Sequence, residues 1–163
     1  MTSIPAALCS ISELNAAWSA DWLWGCPLIV VTVIIHVLGL GYIGAKAIAI
    51  YHDGGKRRRH PQIAFVVVLG ASTLLATLLH AIETAIWAFA FCELGALTDF
   101  RLAMLYSLGA MTTYGHQNIT LAAHWQLLGS IEALNGWLLF GLSTAFLFWL
   151  FQEITPSIQK NKG

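Results

Sequence analysis

Three long apolar stretches decide most of what this chain can become. They run from about Pro27 to Tyr51, from Ile63 to about Leu97, and from Trp125 to Phe151. Each can cross roughly 30 Å of hydrocarbon as a helix, which needs about 20 residues. The second is long enough to tilt or to extend beyond the bilayer. Only 10% of the 163 residues are charged, against roughly 25% in soluble domains, too few to cover a water-facing surface. Seven tryptophans suit a protein whose indoles sit at membrane interfaces. A net charge of zero argues against nucleic acid as a partner. The fold class expected is an all-α membrane protein.

The basic residues set the expected orientation. No Lys or Arg precedes Lys46, and Lys56, Arg57, Arg58 and Arg59 crowd one short loop. Lys160 and Lys162 follow the third stretch, and only Arg101 falls elsewhere. The positive-inside rule then puts the N-terminus outside, with the basic loop and the C-terminus in the cytoplasm. Three spans satisfy this if residues 98–124 leave and return on the outer side. Residues 1–26 carry no basic n-region and contain Glu13 and Asp21, so no cleavable signal peptide is expected. Their Trp18, Trp22 and Trp24 suit an interfacial helix lying on the membrane, as an anchor for the first span or a cap over a pore mouth. Gly39, Gly41 and Gly44 in the first span would let helices approach closely. The arginine run sets topology or binds anionic lipid headgroups. Cys9 and Cys26 would face the oxidising side, with Cys92 near it; a Cys9–Cys26 disulfide, free thiols and inter-subunit bridges all stay open.

Between the second and third stretches lies Met104–Thr120, MLYSLGAMTTYGHQNIT. Thr98 or Asp99 can cap a short helix running to about Met111, and a polar run from Thr112 to Thr120 follows. Irregular backbone at membrane depth is tolerated only where protein buries it or it lines a water-filled path. A re-entrant pore helix with a filter loop is therefore expected.

These residues resemble the pore domain of potassium channels, in particular small bacterial channels of the two-transmembrane pore type. Ala103–Thr113, AMLYSLGAMTT, is similar to the family's pore helix, roughly ALYFSLVTFTT. Trp125–Phe148 is similar to its inner helix, and the likeness covers about 63–152. The resemblance implies a homotetramer in which each subunit gives one pore loop to a central axis. It divides the chain into an external segment (1–26), a peripheral transmembrane helix (27–51), a cytoplasmic basic loop (52–62), a pore domain (63–152) and a cytoplasmic tail (153–163). Gly136 matches the region of the inner-helix hinge, with Leu139 and Ser143 continuing its stripe toward a cavity. The implied location is a membrane, the bacterial inner membrane fitting best.

The filter departs from the family pattern. Thr-x-Gly-Tyr-Gly-Asp is replaced, without gaps, by Thr113-Tyr114-Gly115-His116-Gln117-Asn118, preceded by Thr112. Ile119-Thr120-Leu121 then falls in register with family members reading Asp-Ile-Thr-Leu. A gapped alignment that takes Tyr114-Gly115 as the family's Tyr-Gly also shortens the filter. Potassium filters replace an ion's water with stacked carbonyl rings. Gln117 carries a Cβ where the family has glycine, so the outer rings should be lost or reshaped. Asn118 removes a carboxylate that would concentrate cations at the mouth. The expected permeant ion is a monovalent cation, K+ or Na+, without strict discrimination, and no cofactor is expected. Four copies of His116 would bind a transition metal, gain charge below a pH of roughly 6.5, or only hydrogen-bond behind the filter.

Ionisable groups within the spans need partners or water. His80 and Glu83 share one face of the second span, and Glu132 and Asn135 share one face of the third. Bracing of the pore helix is the first expectation for these four; a proton or metal relay and an ion-facing Glu132 are the others. Ser143 and Thr144 suit an inner vestibule or helix packing equally. His36 is expected to make an interhelical hydrogen bond rather than to serve as a ligand. Three classes follow: a tetrameric cation channel, a metal-binding or metal-transporting membrane protein using His116, and a non-conducting regulatory relative. An enzyme is not expected, since no His-Glu-x-x-His, Gly-x-Ser-x-Gly or phosphate loop occurs. No span carries the several arginines of a voltage sensor.

Overall fold

The computed structural model describes residues 4–53, 61–115 and 118–160, with side chains described over 18–52, 62–115 and 118–155. The basic loop 54–60, His116, Gln117 and the Cys9 side chain lie outside the described residues. The expectations placed on them, including the His116 metal site and the Cys9–Cys26 disulfide, lie outside with them. The described residues form helices α1 (Ile4–Asp53), α2 (Pro61–Glu93), α3 (Phe100–Met111) and α4 (Gln126–Lys160), with a 3-10 turn (Ala123–Trp125) before α4. Three helices are long and apolar enough to cross a membrane, over Trp18–His52, Gln62–Glu93 and Ala123–Thr155.

The first of these differs from the expected division at residue 26. α1 is one helix of 50 residues that passes through Pro27 without a break. Proline removes a backbone donor and normally ends a helix in water. In apolar surroundings no water competes for the remaining backbone groups, and proline within a spanning helix is tolerated.

The chain forms two compact units: Met1–Thr32 with Thr84–Trp137, and Val33–Glu83 with Leu138–Gly163. In the second unit, α1 turns His36, Leu40, Ile43, Ala47 and Tyr51 inward, a stripe at helical spacing. α2 answers with Val68, Ser72, Ala76 and Leu79, and α4 with Leu139, Leu150 and Ile154. Two apolar clusters result, one around Ala47, Tyr51, Val68, Leu150 and Ile154, the other around Leu40, Ile43, Ala76 and Leu79. Close approach follows from Gly39, where an added Cβ would lie 2.6 Å from Leu79, and Gly44, which abuts Phe146 and Trp149; Gly41 meets nothing within 4 Å.

The first unit is built around α3. α2 ends in a Schellman turn: Ala96 N–H donates to Phe91 O at 2.9 Å and Gly95 N–H to Cys92 O at 3.1 Å. Gly95 takes φ +67°, which a residue with a Cβ resists. Asp99 then caps α3, its carboxylate accepting from Leu102 N–H at 2.9 Å. Of the two caps the sequence offers, Thr98 and Asp99, the structure uses Asp99, and α3 ends at Met111, near where the polar run is expected to begin. Trp125 Nε1 donates to Leu94 O at 3.1 Å and Ala122 N–H to Ala96 O at 3.2 Å. The segment leaving α3 is thereby fastened to the turn that enters it.

Candidate functional site

Two groups of polar residues stand out, one in each unit. The first gathers on α3 and the turn after it. The Ser107 hydroxyl lies between the Thr84 carbonyl oxygen, at 3.0 Å, and the Glu132 carboxylate, with which it makes a short hydrogen bond. Thr84 donates to the Met111 sulfur at 3.2 Å. At Gly136, α4 touches the end of α3 directly: an added Cβ would sit 2.5 Å from the Met111 carbonyl oxygen and 2.6 Å from its Cα. Tyr106 packs edge-on against Phe91 at 5.4 Å and fills the space where a Cβ at Gly129 would lie. α3 is thus held by polar contacts from both α2 and α4, in surroundings where interhelical hydrogen bonds find no competing water.

The turn after α3 carries the residues expected to form a filter. Thr112 closes the helix, its hydroxyl donating to Leu108 O at 2.6 Å. Thr113 adopts φ 57° and Gly115 φ 85°, both in the left-handed region. Gly115 N–H donates back to Gly109 O at 3.2 Å. Thr112, Thr113, Tyr114, Gly115 and Asn118 are exposed, Tyr114 to 87%. An open groove of about 630 Å³ runs beside them, lined by Leu105, Leu108, Gly109, Tyr114 and Ile119 among others. The exposed side of α3 is apolar, with Leu102, Leu105 and Leu108 each about half exposed.

The four residues expected to support the filter have different partners. Glu132 accepts from Ser107 of α3. Asn135 instead donates to the Thr32 hydroxyl on α1 at 2.8 Å. Among the described residues, Glu132 Oε2 and Asn135 Oδ1 have no hydrogen-bond partner. His80 and Glu83 bond away from α3, to α1 and α4. Of the stripe expected to continue toward a cavity, Leu139 is fully buried within the chain, and Ser143 bonds His36 and His80, in keeping with the helix-packing alternative for that residue. Gly136 packs closely on the Met111 backbone. Thr144 is exposed, its hydroxyl turned back to Phe140 O at 2.8 Å.

The second group lies in the other unit. Glu83 Oε1 meets His36 Nδ1 at 2.8 Å, and Glu83 Oε2 lies 3.3 Å from His80 Nδ1. Ser143 Oγ bonds His36 Nε2 at 3.1 Å and His80 Nε2 at 3.0 Å. The His36 and His80 rings are 4.9 Å apart, and Phe140 stacks on His80 at 4.5 Å. His36 makes the interhelical bonds expected of it, but its joining of His80 and Glu83 was not foreseen. The only signal available was a lone ionisable residue in an apolar span, and no spacing rule connects residue 36 to residue 83.

No protein-family model, curated protein or solved structure matches the chain.

Proposed function

We propose that the chain is the subunit of a tetrameric cation channel of the potassium-channel-like type, with weak discrimination among monovalent cations. One observation carries the reading. A 12-residue helix, capped by Asp99 and locked between two span-length helices, ends in an exposed polar turn at Thr112–Gly115. A helix of this length rises about 18 Å, well short of the roughly 30 Å needed to cross. Its C-terminal end carries the negative end of the helix dipole, which favours a cation beside it. Thr113 and Gly115, in the left-handed region, turn the backbone sharply where carbonyl ligands would be needed. The apolar side of α3 and the adjoining groove suit coverage by neighbouring subunits.

Weak selectivity rests on the sequence: Gln117 stands where a second filter glycine would be, and Asn118 where a carboxylate would be. The test is the reversal potential of purified protein in lipid bilayers, with potassium on one side and sodium on the other. A finite current reversing near zero is expected. A reversal at the potassium limit would overturn the selectivity reading, and absence of current would overturn the channel reading.

A further inference from the structure

We propose that His36, His80 and Glu83 bind a divalent transition-metal ion within the second unit, zinc being the best-matched. Their ligand atoms all lie within 4.8 Å of one another. The His36–Glu83 and His80–Glu83 separations, 2.8 and 3.3 Å, lie at or just below the roughly 3.3 Å between ligands of a tetrahedral zinc, whose metal–ligand bonds are about 2.0–2.1 Å, so an ion needs only the His36–Glu83 pair to open by a few tenths of an ångström. Two imidazoles and one carboxylate form a donor set that suits zinc, copper, iron or nickel; calcium and magnesium call for oxygen alone.

The hydrogen-bond pattern favours this occupant. Both Nδ1 atoms face the Glu83 carboxylate, and both Nε2 atoms face the Ser143 hydroxyl. A neutral imidazole carries one proton and one lone pair, and a hydroxyl oxygen has two lone pairs. With a metal on the two Nδ1 atoms and the carboxylate, each imidazole keeps its proton on Nε2. Both protons then point at Ser143 Oγ, which accepts the two. Each ring nitrogen is used, and Ser143 fixes both tautomers, the part played by the outer partners of metal-bound histidines. The site is also held before any metal arrives. His36 and Glu83 are fully buried, and Phe140 stacks on the His80 ring with an interplanar angle of 19°. The His80 side chain keeps 14% exposure, so the cluster is not closed on that side by the chain itself. Three protein ligands leave a fourth position for water, and loss of its proton cancels the positive charge left by one carboxylate on a dication.

The site is independent of the pore reading, because metal content is measured without conduction. Full-length protein in lipid nanodiscs is loaded with Zn2+, freed of excess by gel filtration, and its metal measured by mass spectrometry. One zinc per chain is expected. Glu83→Gln and His36→Gln should lose it, while His116→Ala and His124→Ala should retain it. Ser143→Ala should keep the ligands but weaken binding by roughly 10- to 100-fold. X-ray absorption at the zinc edge of the unaltered protein should show imidazole and oxygen neighbours, and it decides the matter even where a variant fails to fold. Retention no greater than in empty nanodiscs, a sulfur shell, or loss confined to His116→Ala would each overturn the proposal; the first would leave the cluster to a proton only.

Discussion

At the scale of single residues, one close approach of α4 to the α3 backbone depends on the absence of a methyl group. Gly136 rests on the backbone of Met111, not on a side chain that can swing aside. Gly136→Ala must therefore push the end of α3 away by several tenths of an ångström. Overpacking of this kind costs about 1–3 kcal/mol. Gly141 lies on the same helix with nothing within 4 Å of an added Cβ, so Gly141→Ala gains helix propensity without a clash. Thermal unfolding in lipid should show Gly136→Ala melting lower than the parent and Gly141→Ala at or above it. Equal melting of the two variants would mean that α4 does not press on Met111. Such a contact was not legible in the sequence. Glycine at 136 was visible, but a hinge and a packing contact leave the same letter. Only the direction in which α4 presents that position separates them. The same limit hid the burial of Leu139 and the two bonds of Ser143.

At the scale of elements, what could be read was what is decided locally. Thr98 or Asp99 before an apolar run marks a helix start, and the polar run from Thr112 to Thr120 marks its end near Met111, so α3 is legible to within a residue or so. The pairing of His80 with Glu83 follows from three-residue helical spacing alone, and the structure brings them to 3.3 Å. The partners across helices were out of reach, because the register of α1 against α2 is set by many weak contacts and by no motif. That is why His36 was visible while its bond to Glu83 was not. The cap gives a test of its own. Asp99→Ala removes the acceptor of Leu102 N–H and should cost about 1 kcal/mol, whereas Asp99→Asn should retain most of the cap. Hydrogen exchange at the first turn of α3 should rise in the alanine variant and stay near parental in the asparagine one. Equal exchange in all three would mean that the hydrogen bond contributes nothing to the start of α3.

At the scale of the whole molecule, one question separates a short helix that enters and leaves a membrane on one side from one that completes a crossing. α3 has 12 residues, rising about 18 Å, so a crossing would need both flanking turns to extend deep into hydrocarbon. Those flanks include the exposed polar turn at Thr112–Gly115, which hydrocarbon would leave without water. The basic residues add an independent constraint, since they cluster after α1 and at the chain's end. The proposed pore loop and the positive-inside expectation together predict Cys26 and Asn118 on one side of the membrane, and Gln152 on the other. In a cysteine-free background, single cysteines at 26, 118 and 152 can be challenged in intact cells with a membrane-impermeant maleimide. All three positions are exposed in the chain itself. Labelling at 26 and 118 is expected without permeabilisation, and labelling at 152 only after it. Labelling of 118 from the side opposite 26 would mean that α3 crosses, and the pore-loop reading would fall with it. Labelling of 152 alone in intact cells would invert the orientation while leaving the re-entrant geometry intact, because 26 and 118 would still agree.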